Sequence, residues 1–319
     1  MCVTKELFGK TDNGKEVYCF TLQNHAGMRV RLLEYGAGIE SILVPDQTGE
    51  MRDVTVGFDD MDGLQHRSDY QGAIAGPYAN RIGGGSLCID GKDYPLIKNE
   101  DNIQTLHSGG EYTHTVWNGQ AAGENAVCFS YTREDMLNGY PGAIQAQITY
   151  TLTEENDLRI HYSCTSDRKT YINPTNHTYF HLGGFGNGDI LDHELTLFAS
   201  AFTPVDKHSI PTGEIRSVKG TPFDFTTAKP IGKDIDVPCE QLQNTGGFDH
   251  NFCIDHWDGT MRTAAIVKCP ATGITMTVST DLPGIQFYAG NFLNGIPGKN
   301  GIPMNKRCGF CLETQYYPD

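Results

Sequence analysis

The chain lacks any long hydrophobic run and has few basic residues for its size. No stretch approaches the ~20 apolar residues of a membrane span, and residues 1–7 have no apolar core of the kind a secretory signal requires. Its 24 Lys and Arg are outnumbered by 39 Asp and Glu, which leaves a net charge of −15. This charge repels nucleic acid and anionic membranes, so we expect neither as a partner. Because no secretory signal is visible, we predict a cytoplasmic protein.

Ten cysteines are scattered along a chain of 319 residues, which can build its own core. Without a secretory signal, the pattern predicts reduced thiols rather than a disulfide framework. Cys308 and Cys311 match C-x-x-C in form, but a second pair at zinc-site spacing and a neighbouring βαβ pattern are both missing. We therefore expect these two cysteines to be small buried side chains rather than a redox or metal site.

Extended 3.6-residue periodicity is also missing, whereas period-two alternation recurs throughout. Short helices are predicted only around Met61–His66 and residues 228–235. Three pairs of alternating segments joined by turns predict β-hairpins: residues 148–152 with 158–162, 87–89 with 94–96, and 266–269 with 274–278. Many short strands with few helices indicate an all-β sandwich or barrel. With no linker, charge block or low-complexity tract, we expect one domain over residues 1–319.

Residues 173–184 contain a histidine within β-forming and polar residues, followed by paired glycines. If this segment is a strand, His177, Tyr179 and His181 share one face, which would suit a hydroxyl-rich ligand. Asn176 and Thr178 would lie on the opposite face. A structural histidine is the alternative. A metal held by His177 and His181 is disfavoured because no third ligand is evident.

Further polar residues occur in apolar or glycine-rich surroundings, and each has a structural alternative. Glu313 lies in an apolar, strand-like run, where desolvation raises a carboxylate's pKa and suits it to act as a general base. A buried salt bridge is its other possible role. Arg81 offers a fork of donors for hydroxyls or a carboxylate, or could form a structural ion pair. His107 could be an ordinary loop histidine. Asp249 lies between aromatic neighbours, and Gln286 lies on a predicted strand.

Together, these segments resemble the aldose 1-epimerase (galactose mutarotase) family over nearly the whole chain. The matching motifs occur in the family's order: Asn80-Arg81-Ile82, Leu106-His107, residues 173–180, residues 247–252, residues 283–286 and residues 309–315. The most specific are Asn176-His177-Thr178-Tyr179-Phe180 and Leu312-Glu313-Thr314-Gln315.

The resemblance implies a large antiparallel β-sandwich, the galactose mutarotase-like supersandwich, and interconversion of the α and β anomers of free aldohexoses such as galactose and glucose. It implies that Glu313 is the general base and His177 the general acid. It implies that sugar-binding residues are Asn80, Arg81, His107, Asp249, Gln286 and Tyr179. No metal or organic cofactor is implied, and we expect a monomer or a weak homodimer.

Two positions depart from the family pattern. Ser108 intervenes between His107 and the paired glycines that normally follow it, which leaves the geometry of this loop open. Position 181 is histidine where the family often has asparagine.

Three other functions remain as alternatives. A glycoside hydrolase on a related sandwich would use Glu313 and Asp249 as its carboxylate pair. A non-catalytic protein would bind the sugar without accelerating its reaction. A hexose-6-phosphate epimerase would need a basic cluster for the phosphate, of which the acidic composition gives no sign.

Overall fold

A computed structural model describes residues 2–319, except for the side chain of Cys2. Its strands, numbered in chain order, are β1 (Cys2–Lys10), β2 (Glu16–Gln23), β3 (Arg29–Leu33), β4 (Ile39–Pro45), β5 (Met51–Asp53), β6 (Thr55–Val56), β7 (Ile74–Ala75), β8 (Arg81–Ile82), β9 (Ser86–Ile89), β10 (Lys92–Pro95), β11 (Thr105–Leu106), β12 (Asn118–Ala121), β13 (Ala126–Arg133), β14 (Ile144–Leu152), β15 (Leu158–Ser166), β16 (Thr175–Asn176), β17 (Tyr179–Phe180), β18 (Glu194–Leu197), β19 (Ala201–Phe202), β20 (Arg216–Ser217), β21 (Lys229–Pro230), β22 (Asp249–Cys253), β23 (Arg262–Lys268), β24 (Thr275–Thr280), β25 (Gly284–Tyr288), β26 (Ile296–Pro297), β27 (Pro303–Met304) and β28 (Cys311–Gln315).

The α-helices of the described chain are α1 (Met61–His66) and α2 (Glu240–Thr245). Single 3-10 turns lie at Gly83–Gly85, His107–Gly110, Leu137–Gly139, Ile231–Lys233 and Lys299–Gly301. The prediction of an all-β protein with few short helices is confirmed. Within residues 2–319, no helix combines the length and apolar character needed to cross a bilayer.

The chain separates into two compact units. The first comprises the described chain up to Val44 together with Phe58–Asn176, and the second comprises Pro45–Gly57 together with His177–Asp319. The assignment of residues 1–319 to one domain stays a prediction.

The first unit contains two large antiparallel sheets. One has the order β1–β2–β3–β4 and the other β12–β13–β14–β15. Phe20 of β2 meets Phe129 of β13 edge-on at 5.7 Å between ring centroids, and the Tyr150 hydroxyl donates to the Ala37 carbonyl at 2.7 Å. These contacts of inward-facing aromatic side chains hold the two sheets together as a sandwich.

The second unit has one sheet with the order β20–β19–β22–β25–β28 and another with the order β21–β18–β23–β24. The apolar face of the first sheet packs into a cluster of phenylalanine rings. Its fully buried members are Phe202, Phe223, Phe225, Phe248, Phe252 and Phe287. Phe202 stacks on Phe223 with centroids 4.4 Å apart, and Phe248 stacks on Phe287 at 5.4 Å. This cluster fixes the sheet from one side and leaves its other face for polar residues.

All three predicted hairpins are confirmed. β14 pairs with β15 from Ile144 opposite Ser166 to Leu152 opposite Leu158, β9 pairs with β10, and β23 pairs with β24. The predicted helix at Met61–His66 is confirmed as α1, whose first turn is capped by the Asp60 carboxylate.

The predicted helix over residues 228–235 is wrong. That segment forms β21 and a single 3-10 turn at Ile231–Lys233. Lys229 is drawn inward because its ammonium donates to the Pro222 carbonyl at 2.6 Å and to Asp234 at 2.7 Å, and β21 pairs with β18. These tertiary contacts override a weak local helical pattern.

Candidate active site

The three strands β22, β25 and β28 carry a row of polar side chains across the second unit. Asn251 of β22 lies opposite Gln286 of β25, and Gln286 lies opposite Glu313 of β28. Because side chains alternate along a strand and directly paired residues share a face, these three point to the same side of the sheet. Asp249 and Gln315, each two residues from a member of the row, belong to the same face. All five are buried, which is uncommon for polar side chains that lack partners or a ligand.

Hydrogen bonds fix the orientation of this polar face. Gln286 donates to the Asp249 carboxylate at 2.7 Å. The side-chain amide of Gln315 donates to Oε1 of Gln286 at 3.3 Å and to Oδ1 of Asn251 at 3.1 Å. Gly284 leaves room for this arrangement, since a Cβ there would lie 2.4 Å from the Asn251 side-chain oxygen. The carboxylate and amides are therefore held in place before any ligand arrives.

His177 and Glu313 come together on this side of the sheet. Nε2 of His177 lies 3.6 Å from Oε1 of Glu313, and the two residues are only 6% and 3% exposed. The His177 ring stacks on Tyr179 with centroids 5.1 Å apart and an interplanar angle of 26°. A carboxylate and an imidazole this close, and shielded from water, form a pair that could exchange protons with one small substrate.

The position of His177 follows from backbone pairing nearby. β17 pairs with β6, and Phe180 exchanges two backbone hydrogen bonds with Phe310, at 2.7 and 2.9 Å. Phe310 directly precedes β28. The chain around His177 is therefore attached to the start of the strand that carries Glu313.

The condition under which His177, Tyr179 and His181 would share one strand face is not met. The segment forms two-residue strands, β16 and β17, separated by His177 and Thr178. Thr178 is buried, as are His177, Tyr179 and His181, so the residues do not divide into an inner and an outer face. His177 is placed by an irregular stretch between two short pairings rather than by strand alternation.

His181 forms a buried pair with His193. Their rings meet edge-on at 5.0 Å, Gly183 N–H donates to Nδ1 of His181, and Leu182 N–H donates to Nε2 of His193. Burial lowers the pKa of His181 and lowers that of His193 to about 3. Both rings are therefore neutral at physiological pH, and the contacts of His181 are those of a structural residue.

In the first unit, Asn80 and His107 are joined by backbone and side-chain contacts. His107 N–H donates to the Asn80 carbonyl at 3.0 Å, and Asn80 N–H donates to Nδ1 of His107 at 3.1 Å. Because Nδ1 accepts, the neutral ring carries its hydrogen on Nε2. The ring also packs against Tyr70 with centroids 4.6 Å apart. His107 is thus an oriented, buried histidine and not an ordinary loop residue.

Arg81 forms a two-point ion pair with Glu100. Nε and Nη2 each donate to a carboxylate oxygen at 2.8 Å. This is the structural role that the sequence left open for Arg81. A contact between Arg81 and a sugar stays a prediction.

The extra residue after His107 is accommodated by a compact turn. Ser108 has a positive φ of 54° and is fully buried. Its hydroxyl accepts from Tyr78 N–H at 3.0 Å and donates to the Tyr78 carbonyl at 2.8 Å. The buried hydroxyl of Ser108 therefore both donates and accepts, and it ties this turn to the backbone of Tyr78.

The cysteines whose side chains are described are free thiols; that of Cys2 lies outside them. Cys308 and Cys311 are both buried, as predicted, but only Cys311 belongs to a strand. Burial raises the pKa of Cys308 to about 12 and raises that of Cys311 well above its ordinary value. Both are therefore protonated at neutral pH, and neither is a reactive thiolate.

Three residues on or beside the polar face had no assigned role from sequence: Asn251, Gln315 and Cys311. Cys311 Sγ lies 3.5 Å from Nδ1 of His177. The alternation of β28 could have pointed to Cys311 and Gln315, which are each two residues from Glu313. Asn251 could be linked to them only through the strand register.

Comparison with known proteins identifies the family of this chain. A sequence profile of the family described as "Aldose 1-epimerase" matches residues 18–319. The galactose mutarotase of Bos taurus is 40% identical over 99% of this chain and 91% of its own length, and the aldose 1-epimerase of Haemophilus influenzae is 37% identical over 96% and 88%. The solved structure of a galactose 1-epimerase from Lactobacillus acidophilus has a TM-score of 0.85 at 27% identity, covering 99% of this chain and 90% of that one. The predicted sandwich fold and family are thus confirmed, and the chain belongs to the aldose 1-epimerase family of isomerases.

Proposed function

We propose that this chain interconverts the α and β anomers of free aldohexoses, galactose and glucose among them, with Glu313 as general base and His177 as general acid. The observation that carries the proposal is the buried pair in which Nε2 of His177 lies 3.6 Å from Oε1 of Glu313. The names of the relatives support a sugar substrate, and galactose occurs in several of them.

The cycle needs only proton transfers. Ionised Glu313 takes the proton of the anomeric hydroxyl, and protonated His177 gives its Nε2 proton to the ring oxygen as the ring C–O bond breaks. The open-chain aldehyde rotates about C1–C2 and closes on its other face, with His177 regaining its proton and Glu313 returning its own. Assistance of about 10²–10⁴-fold from each group is a sufficient scale, because mutarotation already proceeds in water.

The remaining predicted residues would hold the sugar. Asp249 and Gln286 present a carboxylate and an amide joined by a 2.7 Å hydrogen bond, and such pairs match the donors and acceptors of neighbouring hydroxyls. The ring of Tyr179 stacks on that of His177, and its contact with the sugar is proposed from its place in the family's motifs. Contacts from Asn80, Arg81 and His107 to the sugar are proposed from their place in the family's motifs.

The local contacts favour this function over the hydrolase alternative. Glu313 has a histidine as its close partner, whereas Asp249 is bonded to Gln286. A glycosidase would need two carboxylates placed on either side of a glycosidic bond. A non-catalytic sugar-binding protein would not require an acid–base pair at all.

Polarimetry of freshly dissolved α-galactose and α-glucose tests the proposal. Glu313→Ala and His177→Asn should each reduce the catalysed rate by about 10²–10⁴-fold, since each removes one proton-transfer group. Glu155→Gln and His161→Asn alter exposed residues of the same types and should keep full activity. A wild-type rate equal to the buffer rate, or full activity of folded Glu313→Ala, would refute it.

A further inference from the structure

The imidazole of His177 lies between two side chains of the same strand. Cys311 and Glu313 are two residues apart on β28 and therefore face the same way. Cys311 Sγ lies 3.5 Å from Nδ1 of His177, while Glu313 Oε1 lies 3.6 Å from Nε2. The strand thus engages both ring nitrogens, each with a different chemical group.

We propose that Cys311 is a positioning residue that accepts the Nδ1–H of His177 and so confines proton exchange to Nε2. This inference rests on the proposed function, in which His177 donates to the ring oxygen. When His177 is protonated, both nitrogens carry hydrogen. After it donates from Nε2, the hydrogen on Nδ1 remains and still points at the sulfur. One contact therefore serves both states of the ring, and the proton that leaves is always the one facing Glu313.

The chemistry of a buried thiol suits this task. A thiol sulfur is a weak, neutral hydrogen-bond acceptor. Desolvation, reinforced by Glu313 and Asp249, keeps Cys311 protonated and uncharged. A carboxylate at this place would orient the ring too, but its charge would hold the proton on the imidazole and oppose its donation. The thiol orients the ring without that penalty.

The surroundings make the contact rigid. Cys311 is fully buried, and Phe310 before it is tied to Phe180 by two backbone hydrogen bonds. The stacking of Tyr179 on the His177 ring is a second restraint on the orientation of the imidazole. Together, the contacts with Cys311 and Tyr179 fix the plane of the imidazole as well as its distance from Glu313, as a precise proton transfer requires.

Three variants separate positioning from packing. Cys311→Ser keeps an acceptor at the same place, Cys311→Ala removes it, and Cys311→Val removes it while filling the space. Cys308→Ala is the matched control, because Cys308 is also a buried thiol, three residues before Cys311, but has no proposed role. For each, kcat and KM are measured by polarimetry, and the ring nitrogens of His177 are observed by 15N NMR, assigned by their loss in His177→Asn.

In the wild type we expect the Nδ1 signal of a protonated nitrogen. Cys311→Ala and Cys311→Val should lower kcat by about 10- to 100-fold with little change in KM, and should alter the tautomer signal. Cys311→Ser should recover most of kcat, and Cys308→Ala should match the wild type. Should the alanine variant fail to fold, the serine and valine variants decide the outcome.

Equal kcat for Cys311→Ser and Cys311→Val, equal losses in Cys311→Ala and Cys308→Ala, or a bare Nδ1 in the wild type would each overturn the proposal. These results differ from a failure of the proposed function itself. In that case the wild type would show no mutarotation, while the NMR signal would still report whether Nδ1 carries its hydrogen.

Discussion

At the scale of single residues, Asp249 offers a direct test of sugar binding. Asp249 is buried, and its carboxylate accepts a hydrogen bond from the side-chain amide of Gln286 at 2.7 Å. An interaction made equally in the ground and transition states affects KM rather than kcat. Asp249→Asn should therefore raise KM for galactose by about 10- to 100-fold, the scale of a lost hydrogen bond to a charged group.

Initial-rate polarimetry over a range of galactose concentrations checks this expectation. Asp192→Asn, an exposed aspartate of the same unit, should leave both constants unchanged. A fall in kcat with KM unchanged would instead assign Asp249 to the chemical step, as the hydrolase alternative requires.

His177 and Glu313, which the structure brings within 3.6 Å, could be singled out from sequence because their chemistry is distinctive. A glutamate in an apolar strand and a histidine in a polar β-forming segment are unusual, and the order of the motifs named the family. The contact between Cys311 and His177 could not be predicted from sequence, because it joins residues 134 positions apart and depends on side-chain packing. The pairing of Arg81 with Glu100 was left open for the same reason.

At the scale of elements, the connection from α2 to β22 places Asp249. α2 ends at Thr245 and is capped by Gly246 with φ of 68°, and Gly247 follows with φ of 145°. A Cβ on Gly247 would lie 2.2 Å from the side-chain oxygen of Asn291, whose amide donates to the Phe248 carbonyl at 2.9 Å. Glycine is required here both by the backbone and by the close approach of Asn291.

Gly247→Ala should accordingly lower the free energy of unfolding by about 1–3 kcal/mol, from strained backbone and a displaced neighbour. Urea titration followed by tryptophan fluorescence measures the loss. Gly220→Ala provides the comparison, since Gly220 also has a positive φ, of 73°, but its Cβ would meet no atom within 4 Å. If the two variants lose the same stability, backbone strain alone explains the effect and the Asn291 contact contributes nothing.

Elements defined by local alternation were predicted well, and those defined by distant contacts were not. The hairpin of β14 and β15 follows from alternation and a short turn. The helix α2 was missed. It begins after Cys239, which forms no side-chain cap, whereas α1, of the same length, begins after the capping residue Asp60. The break between β16 and β17 arises because each pairs with a different distant strand, β7 and β6 respectively. No local pattern carries that information.

At the scale of the whole molecule, buried histidines give the folded state a distinctive pH dependence. His250 is fully buried among phenylalanine rings, and burial lowers its pKa to about 3. Asp249 N–H donates to its Nδ1 at 3.2 Å, so Nε2 carries the hydrogen and donates to Gln241 at 3.2 Å. With His193 and His181 also shifted downward, the second unit holds three histidines that resist protonation.

The unfolded chain binds protons on His250 and His193 below about pH 6.5, whereas the folded chain resists doing so until about pH 3. Their contribution to stability is thus complete above pH 6.5 and is lost as the pH falls through this window. Each such group steepens the loss by up to about 1.4 kcal/mol per pH unit. Aspartates with a lowered pKa, such as Asp46 and Asp258 at about 2, reduce the stability of the fold only below about pH 4, where the unfolded chain begins to protonate them.

Urea unfolding measured between pH 7.5 and 4.5 should therefore show stability falling with acidity. His250→Asn keeps an acceptor near the Nδ1 position but cannot be protonated, so its stability should be lower at pH 7.5, from lost packing, and should decline less steeply. His161→Asn changes an exposed histidine and should follow the wild-type slope. Parallel curves for the wild type and His250→Asn would mean that His250 titrates normally in the folded protein, and the buried neutral state assigned to it would be wrong.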